Sequence, residues 1–187
     1  MAKALDDLPG QMTVEEFLEW LDRWPDDPAF ELIEGVPVAM APGRAIHARL
    51  KAEIWLALRE GIRAAELQCE AFIDGIGIRV DEWSVYQPDA MVQCGERVDD
   101  ETRLVPEPII VVEVLSPTTQ QVDTGRKLEG YFRVPSIVHY LIMPTDRRVV
   151  IHHRRMDDER IETRIVTSGP LELDPPGISL DIERLYG

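Results

Sequence analysis

Residues 109–128 read IIVVEVLSPTTQQVDTGRKL. The opening IIVVEVL is aliphatic except at Glu113. Alternation along a strand places Ile109, Val111, Glu113 and Leu115 on one face, and Ile110, Val112 and Val114 on the other. A run apolar on both faces belongs to a central strand covered on both sides. A carboxylate there loses much of its hydration energy unless it is protonated, paired or bound to a cation. Glu113 is therefore a partly exposed strand end, half of an ion pair, or part of a site.

Upstream, VYQPDAMVQC sets Asp89 directly after Pro88, at the head of another apolar strand. Pro-Asp is common turn chemistry, but two acids on neighbouring buried strands can also converge on one cation. Mg²⁺ takes oxygen ligands in an octahedron, and one or two carboxylates, a backbone carbonyl such as that of Val114, and waters would supply them. Downstream, Asp123 can cap a helix through TGRKLEGYFRV. Lys127 then lies beside Leu128 and Tyr131, which mark the buried face. Its aliphatic stem can run along apolar surface while the ammonium reaches a site, although a solvated helix lysine is the commoner outcome.

Around this stretch the chain reads as one domain, residues 1–187, with 1–11 as a flexible N-terminal segment. Thr13 and Glu16 form a capping box, and Met12 with Phe17 a hydrophobic staple, for a helix that Pro25 and Pro28 end. FELIEGVPVAM reads as a hairpin turning at Glu34-Gly35. From Arg44 to Ala65, the residues Ile46, Leu50, Ile54, Leu58 and Ile62 make an apolar stripe on one long helix. Strands follow at LQCEAFI, GIGIRV, PDAMVQC, IVHYLIM, RRVVIHH and IETRIVT, with a helix near 123–133 and a proline-broken tail ending in a helical turn. The order predicts a mixed α+β fold, a central mixed sheet flanked by helices. Phosphate-loop, dinucleotide and nucleophile-elbow motifs are absent.

Charge narrows function further. Twenty Lys+Arg against 35 Asp+Glu give a net charge of −15, so the chain as a whole repels polyanions. A nucleic-acid role must rest on a local site, bridging cations or a small basic patch. Arg147, Arg148, Arg154 and Arg155 offer such a patch for phosphate contacts, or simply solvate the ends of a hairpin. The adjacent His152 and His153 point to opposite strand faces and do not chelate one ion. Cys69 and Cys94 are expected as reduced, unpaired hydrophobes. No membrane span or signal peptide is evident, and a cytoplasmic location is expected.

Pro88-Asp89 and Glu113-Val114-Leu115 resemble the acidic half of the PD-(D/E)XK nuclease superfamily. The succession FELIEGVPVAMAPGRAIHARL, QPDAMV, IIVVEVLSPTT, DTGRKLEGYFRVPSIVHYLIM resembles, more closely, the Uma-two group of restriction-endonuclease-like proteins, over about residues 12–170. The superfamily lysine two residues after the glutamate is absent, since Leu115 stands there, and the group's pattern supplies it from the following helix, at Lys127. The resemblance implies a restriction-endonuclease-like core that hydrolyses DNA phosphodiester bonds with Mg²⁺ or Mn²⁺. Asp89, Glu113 and Lys127 are the implied catalytic set, with Asp89, Glu113 and the Val114 carbonyl as metal ligands. Glu34, His47 and Asp123 are the residues expected to border the metal. The alternatives are a nuclease fold that binds without cutting, or a hydrolase of RNA or of a nucleotide. A homodimer is a further expectation, because cutting both strands of a duplex often calls for a two-fold.

Overall fold

The computed structural model describes residues 10–23, 29–115 and 124–186. Trp24, Pro25, Pro28 and Asp123 lie outside them, as does the segment 116–122.

Helix α1 (Val14–Asp22) starts as its sequence dictates. Thr13 Oγ1 accepts from the Glu16 amide, and Glu16 Oε2 accepts from the Thr13 amide, closing the capping box. Met12, Phe17 and Trp20 pack with Phe30, Leu32 and Val85, so the staple is part of a small core under the first hairpin. Strands β1 (Phe30–Ile33) and β2 (Val36–Ala39) are joined through Glu34 (φ 51°) and Gly35 (φ 82°). A Cβ at Gly35 would lie 2.3 Å from the Gln11 side chain in a left-handed conformation, which explains the glycine. With β4 (Ile78–Asp81) and β5 (Ser84–Tyr86) they form a sheet in the order β2-β1-β5-β4.

The larger sheet has six strands. Its members are β3 (Cys69–Ile73), β6 (Ala90–Cys94), β7 (Pro108–Leu115), β8 (His139–Pro144), β9 (Val150–Arg155) and β10 (Ile161–Val166). Their order is β10-β9-β8-β7-β6-β3, antiparallel except for the parallel pair β7/β8. Parallel neighbours need a crossover, and α3 (Thr124–Arg133) supplies it. β7 is buried on both faces, as its sequence predicts. Ile110, Val112 and Val114 pack with Leu50, Ile54, Leu58 and Ile62 of α2 (Ala45–Ala64). Val111 and Leu115 pack with Tyr131, Tyr140 and Ile142.

Three expectations change. Ile46 belongs to the α2 stripe by spacing but is 50% exposed, because the first turn of α2 contributes nothing to the buried stripe, which begins at Leu50. The tail holds a hairpin, β11 (Pro170–Leu173) with β12 (Ile178–Asp181), before α4 (Ile182–Leu185). Its prolines occupy the strand start and the turn, where no ladder hydrogen bond is lost, and Leu171, Leu173, Ile178 and Leu180 complete the core against α2. Cys69 and Cys94, expected to be reduced and unpaired, form a disulfide. They are direct partners in the β3/β6 register, a relationship that their spacing in the chain does not reveal.

Candidate active site

Three buried acids and two lysines meet around the C-terminal half of β7. Glu113 is 5% exposed and points toward α3. Lys127 Nζ donates to Glu113 Oε1 at 2.9 Å, and Tyr131 Oη donates to the same oxygen at 2.5 Å. One helical turn separates Lys127 from Tyr131, so both descend on Glu113 from one face of α3. The lysine also donates to Glu31 Oε1 at 2.9 Å, and its ammonium lies 5.7 Å from the centre of the Tyr86 ring. Glu31 in turn accepts from the Gln87 amide at 2.8 Å. Gly130 leaves the space that the Tyr86 ring fills, since a Cβ there would lie 2.5 Å from Tyr86 Cε2.

Asp89 makes the second half. It is 4% exposed and held from α2, by Lys51 Nζ at 2.8 Å from Oδ1 and by His47 Nε2 at 3.4 Å from Oδ2. His47 and Lys51 are one turn apart on α2, and Lys51 also reaches Asp74 at 3.0 Å. The two halves join at one residue, Val114, which follows Glu113. The Val114 amide donates to Asp89 Oδ2 at 2.6 Å, and the Val114 carbonyl lies 2.6 Å from His47 Nε2.

The electrostatics follow from burial and pairing. Burial, opposed by Lys127 and reinforced by the charges of Asp89 and Glu31, pushes the Glu113 carboxyl up to about 7. Burial also pulls Lys127 down, but its two carboxylate partners outweigh it and hold the ammonium well above the usual lysine range. For Asp89, burial works upward and is outweighed by His47, Lys51 and the Val114 amide, so the net shift is downward. The Asp89 carboxylate raises His47. The site thus holds a firm anion at Asp89, firm cations at Lys51 and Lys127, and a carboxyl at Glu113 that gains or loses its proton near pH 7.

Glu34, expected at this site, instead sits on the exposed hairpin turn, 4.0 Å from Arg126. The acid that reaches the lysine from that hairpin is Glu31. It carries the same signal as Glu113, an acid inside a buried strand. Lys51 and Tyr131 also went unpredicted as site residues; the first follows His47 by one helical turn, and the second reads as a core aromatic. Arg155 donates to the carbonyls of Phe132, Val134 and Ile137, and Arg154 to that of Asp174. These two hold the backbone at the end of β9 remote from Glu113, by the β7/β8/β9 register. Arg147 and Arg148 are exposed in the turn after β8, at the end of the sheet where Leu115 pairs with Pro144.

The oxygens here suit a hard cation. Asp89, Glu113 and the Val114 carbonyl fall short of a full coordination shell, and no three His, Cys, Asp or Glu side chains gather as a metal cluster among the described residues. A set of two carboxylates and a carbonyl matches Mg²⁺, which retains several waters. Carboxylates and carbonyls have lone pairs beyond those that Lys51, His47 and the Val114 amide engage, so the donors present can accept such an ion.

A mixed six-stranded sheet whose parallel pair β7/β8 is joined through α3, with α2 on the other face, is of the restriction-endonuclease-like class. The crystal structure of a "putative nuclease belonging to DUF820" from Anabaena variabilis shares this fold, with a TM-score of 0.73 and 18% identity over 94% of this chain and 97% of that one. The Uma2 family model, described as "Putative restriction endonuclease", matches residues 14–183, and the chain belongs to that family. Two Synechocystis proteins are similar in sequence, slr1290 and sll1609, each 26% identical. The first alignment spans 94% of this chain and 92% of the relative, the second 70% and 74%. No helix among the described residues is long and apolar enough to cross a membrane.

Proposed function

We propose that this protein is a metal-dependent nuclease that hydrolyses DNA phosphodiester bonds. The observation that carries the reading is the union of Asp89 and Glu113 at the Val114 peptide, with Lys127 donated to Glu113. In this reading Asp89, one Glu113 oxygen and the Val114 carbonyl hold Mg²⁺ or Mn²⁺. The bound ion supplies Lewis acidity at a phosphate oxygen and acidifies a coordinated water. Lys127 orients the attacking water and stabilises its hydroxide form, while Glu31 and Tyr131 hold Lys127 and Glu113 in place. Lys51 and His47 keep Asp89 ionised. Arg126, on α3 beside Lys127, and Arg147 and Arg148, in the turn at the Leu115 end of the sheet, are exposed cations available to flanking phosphates in a chain of net charge −15.

The test is cleavage of supercoiled plasmid, single-stranded DNA and RNA with Mg²⁺ or Mn²⁺, comparing wild type with Asp89→Asn, Glu113→Gln and Lys127→Met. The expected loss is on the order of 10²-fold or more for each variant. Equal cleavage by all four proteins would mean that the activity belongs elsewhere.

One observation favours a second reading, a nuclease fold that binds without cutting. His47 already engages the Val114 carbonyl and approaches Asp89, and Leu115 replaces the strand lysine. Divalent-ion titration separates the two: no Mn²⁺ affinity at the two carboxylates supports the binding module.

A further inference from the structure

The last strand of the large sheet, β10, pairs only with β9 among the described strands, so its far side is an open edge. Such edges are commonly blunted by charged side chains, lysine above all, by proline or by a bulge, and the two charges of β10, Glu162 and Arg164, are of opposite sign. β10 reads Ile-Glu-Thr-Arg-Ile-Val, with neither lysine nor proline, and its register with β9 runs without a shift from Ile161 to Val166. It also exposes two large apolar side chains, Ile161 at 43% and Ile165 at 71%.

The hydrogen-bond phase fixes which groups face outward. The Arg155 amide donates to Val138 O, toward β8. Arg155 pairs with Ile161, so Ile161, Thr163 and Ile165 direct their amides and carbonyls away from β9. Met156 donating to Arg160 O across the hairpin agrees with this phase.

We infer that β10 pairs antiparallel with β10 of a second copy of this chain, about a two-fold at Thr163. Outward residues must meet outward residues, which leaves few registers. A two-fold at Thr163 opposes Ile161 to Ile165 of the second copy and Thr163 to itself, each pair exchanging two backbone hydrogen bonds. The intervening pairs then set Glu162 against Arg164 in both directions, at the closer spacing of non-hydrogen-bonded pairs. A two-fold at Glu162 would oppose glutamate to glutamate, and one at Arg164 arginine to arginine. Only the register at Thr163 matches unlike charges and apolar side chains together. In the free chain Arg164 Nη2 lies 2.8 Å from Glu162 Oε2 on the same strand, so both side chains already project from one face and exchange partners without crossing the sheet. The two-fold is normal to the joined sheet. Lys127 and its mate, each on α3, therefore stand on the same face of the joined sheet, with β7 and its mate seven inter-strand steps apart, roughly 34 Å.

Sedimentation of the full chain tests this, with Arg164→Glu, Ile165→Lys and the double variant Glu162→Arg/Arg164→Glu. Wild type is expected as a dimer. Arg164→Glu sets like charges across the interface in both pairs and should weaken dimerisation roughly tenfold or more. The double variant restores opposite charges and should recover the dimer, which a fold defect would not. All altered side chains project from an edge strand, and circular dichroism confirms folding. A monomeric wild type overturns the inference, as does a dimer indifferent to Arg164→Glu and Ile165→Lys, or a folded double variant that stays monomeric.

Discussion

Lys127 reaches Glu113 from the crossover helix, Nζ to Oε1, at 2.9 Å. The same ammonium stands 2.9 Å from Glu31, so one cation ties the first hairpin to the central strand through buried carboxylates. Removing it leaves two buried acids without a counter-charge. Lys127→Met is expected to lower stability by about 3–5 kcal/mol, and Lys127→Met/Glu31→Gln by less, because the second change removes an unpaired charge. Urea unfolding at neutral pH compares them. Equal losses would show that the two acids do not share the lysine.

Cation binding should follow the protonation of Glu113. Its carboxyl is raised to about 7 by burial and by neighbouring acids, against 4.5 ordinarily. The folded state then holds a proton that the unfolded chain releases, so this group's contribution to stability falls as pH rises from about 4.5 to about 7. A bound cation replaces that proton. Mn²⁺ affinity is therefore expected to climb up to about tenfold per pH unit approaching 7 and to level off above it, with the slope lost in Glu113→Gln. Calorimetric titration across that range reads both.

Acid lability should come from elsewhere, the buried pair His139 and His152. His139 Nε2 lies 2.8 Å from Pro175 O, which can only accept, so that nitrogen carries the proton. His139 Nδ1 then accepts from His152 Nε2 at 2.9 Å. That leaves His152 Nδ1 a buried acceptor with no donor among the described residues. Burial first, for both, lowers them to about 4 from 6.5. The unfolded chain takes up protons first as pH falls, so stability is lost between about 6.5 and about 4, on the order of 2 kcal/mol for the pair's first proton. His152→Gln should flatten that window in thermal unfolding followed against pH. An unchanged profile would place acid sensitivity in other groups.

Gly130→Ala probes the packing under the lysine. The new methyl carbon would lie 2.5 Å from the Tyr86 ring, and Tyr86 also packs edge-on against Tyr131 at 5.5 Å. A loss of about 1–3 kcal/mol is expected by overpacking, together with reduced cleavage if the ring shift misplaces Lys127. Denaturation and the plasmid assay measure the two effects separately.

Much of this protein was legible because its signals are local. The capping box at Thr13, the stripe from Leu50 to Ile62 and the two-faced apolar strand at β7 each depend on neighbours a few residues away, and propensity and periodicity report those. Even Glu113 announced itself, as a charge in a run that demands burial. Glu31 bears the same mark in a shorter strand, whereas Glu34, expected at the site, sits exposed on the turn.

The sequence by itself determined most of the elements, β5 and the β11/β12 hairpin excepted, their apolar faces, and the two acids that head one buried strand and interrupt the next. Only the tertiary structure decided that Lys51 neutralises Asp89, that Tyr131 turns its hydroxyl on Glu113, that Cys69 meets Cys94, and which edge of the sheet stays open. Each of those depends on strand register and on the placement of helices against the sheet. Register is set by the summed packing of residues distant in the chain, and no window of neighbouring residues contains it.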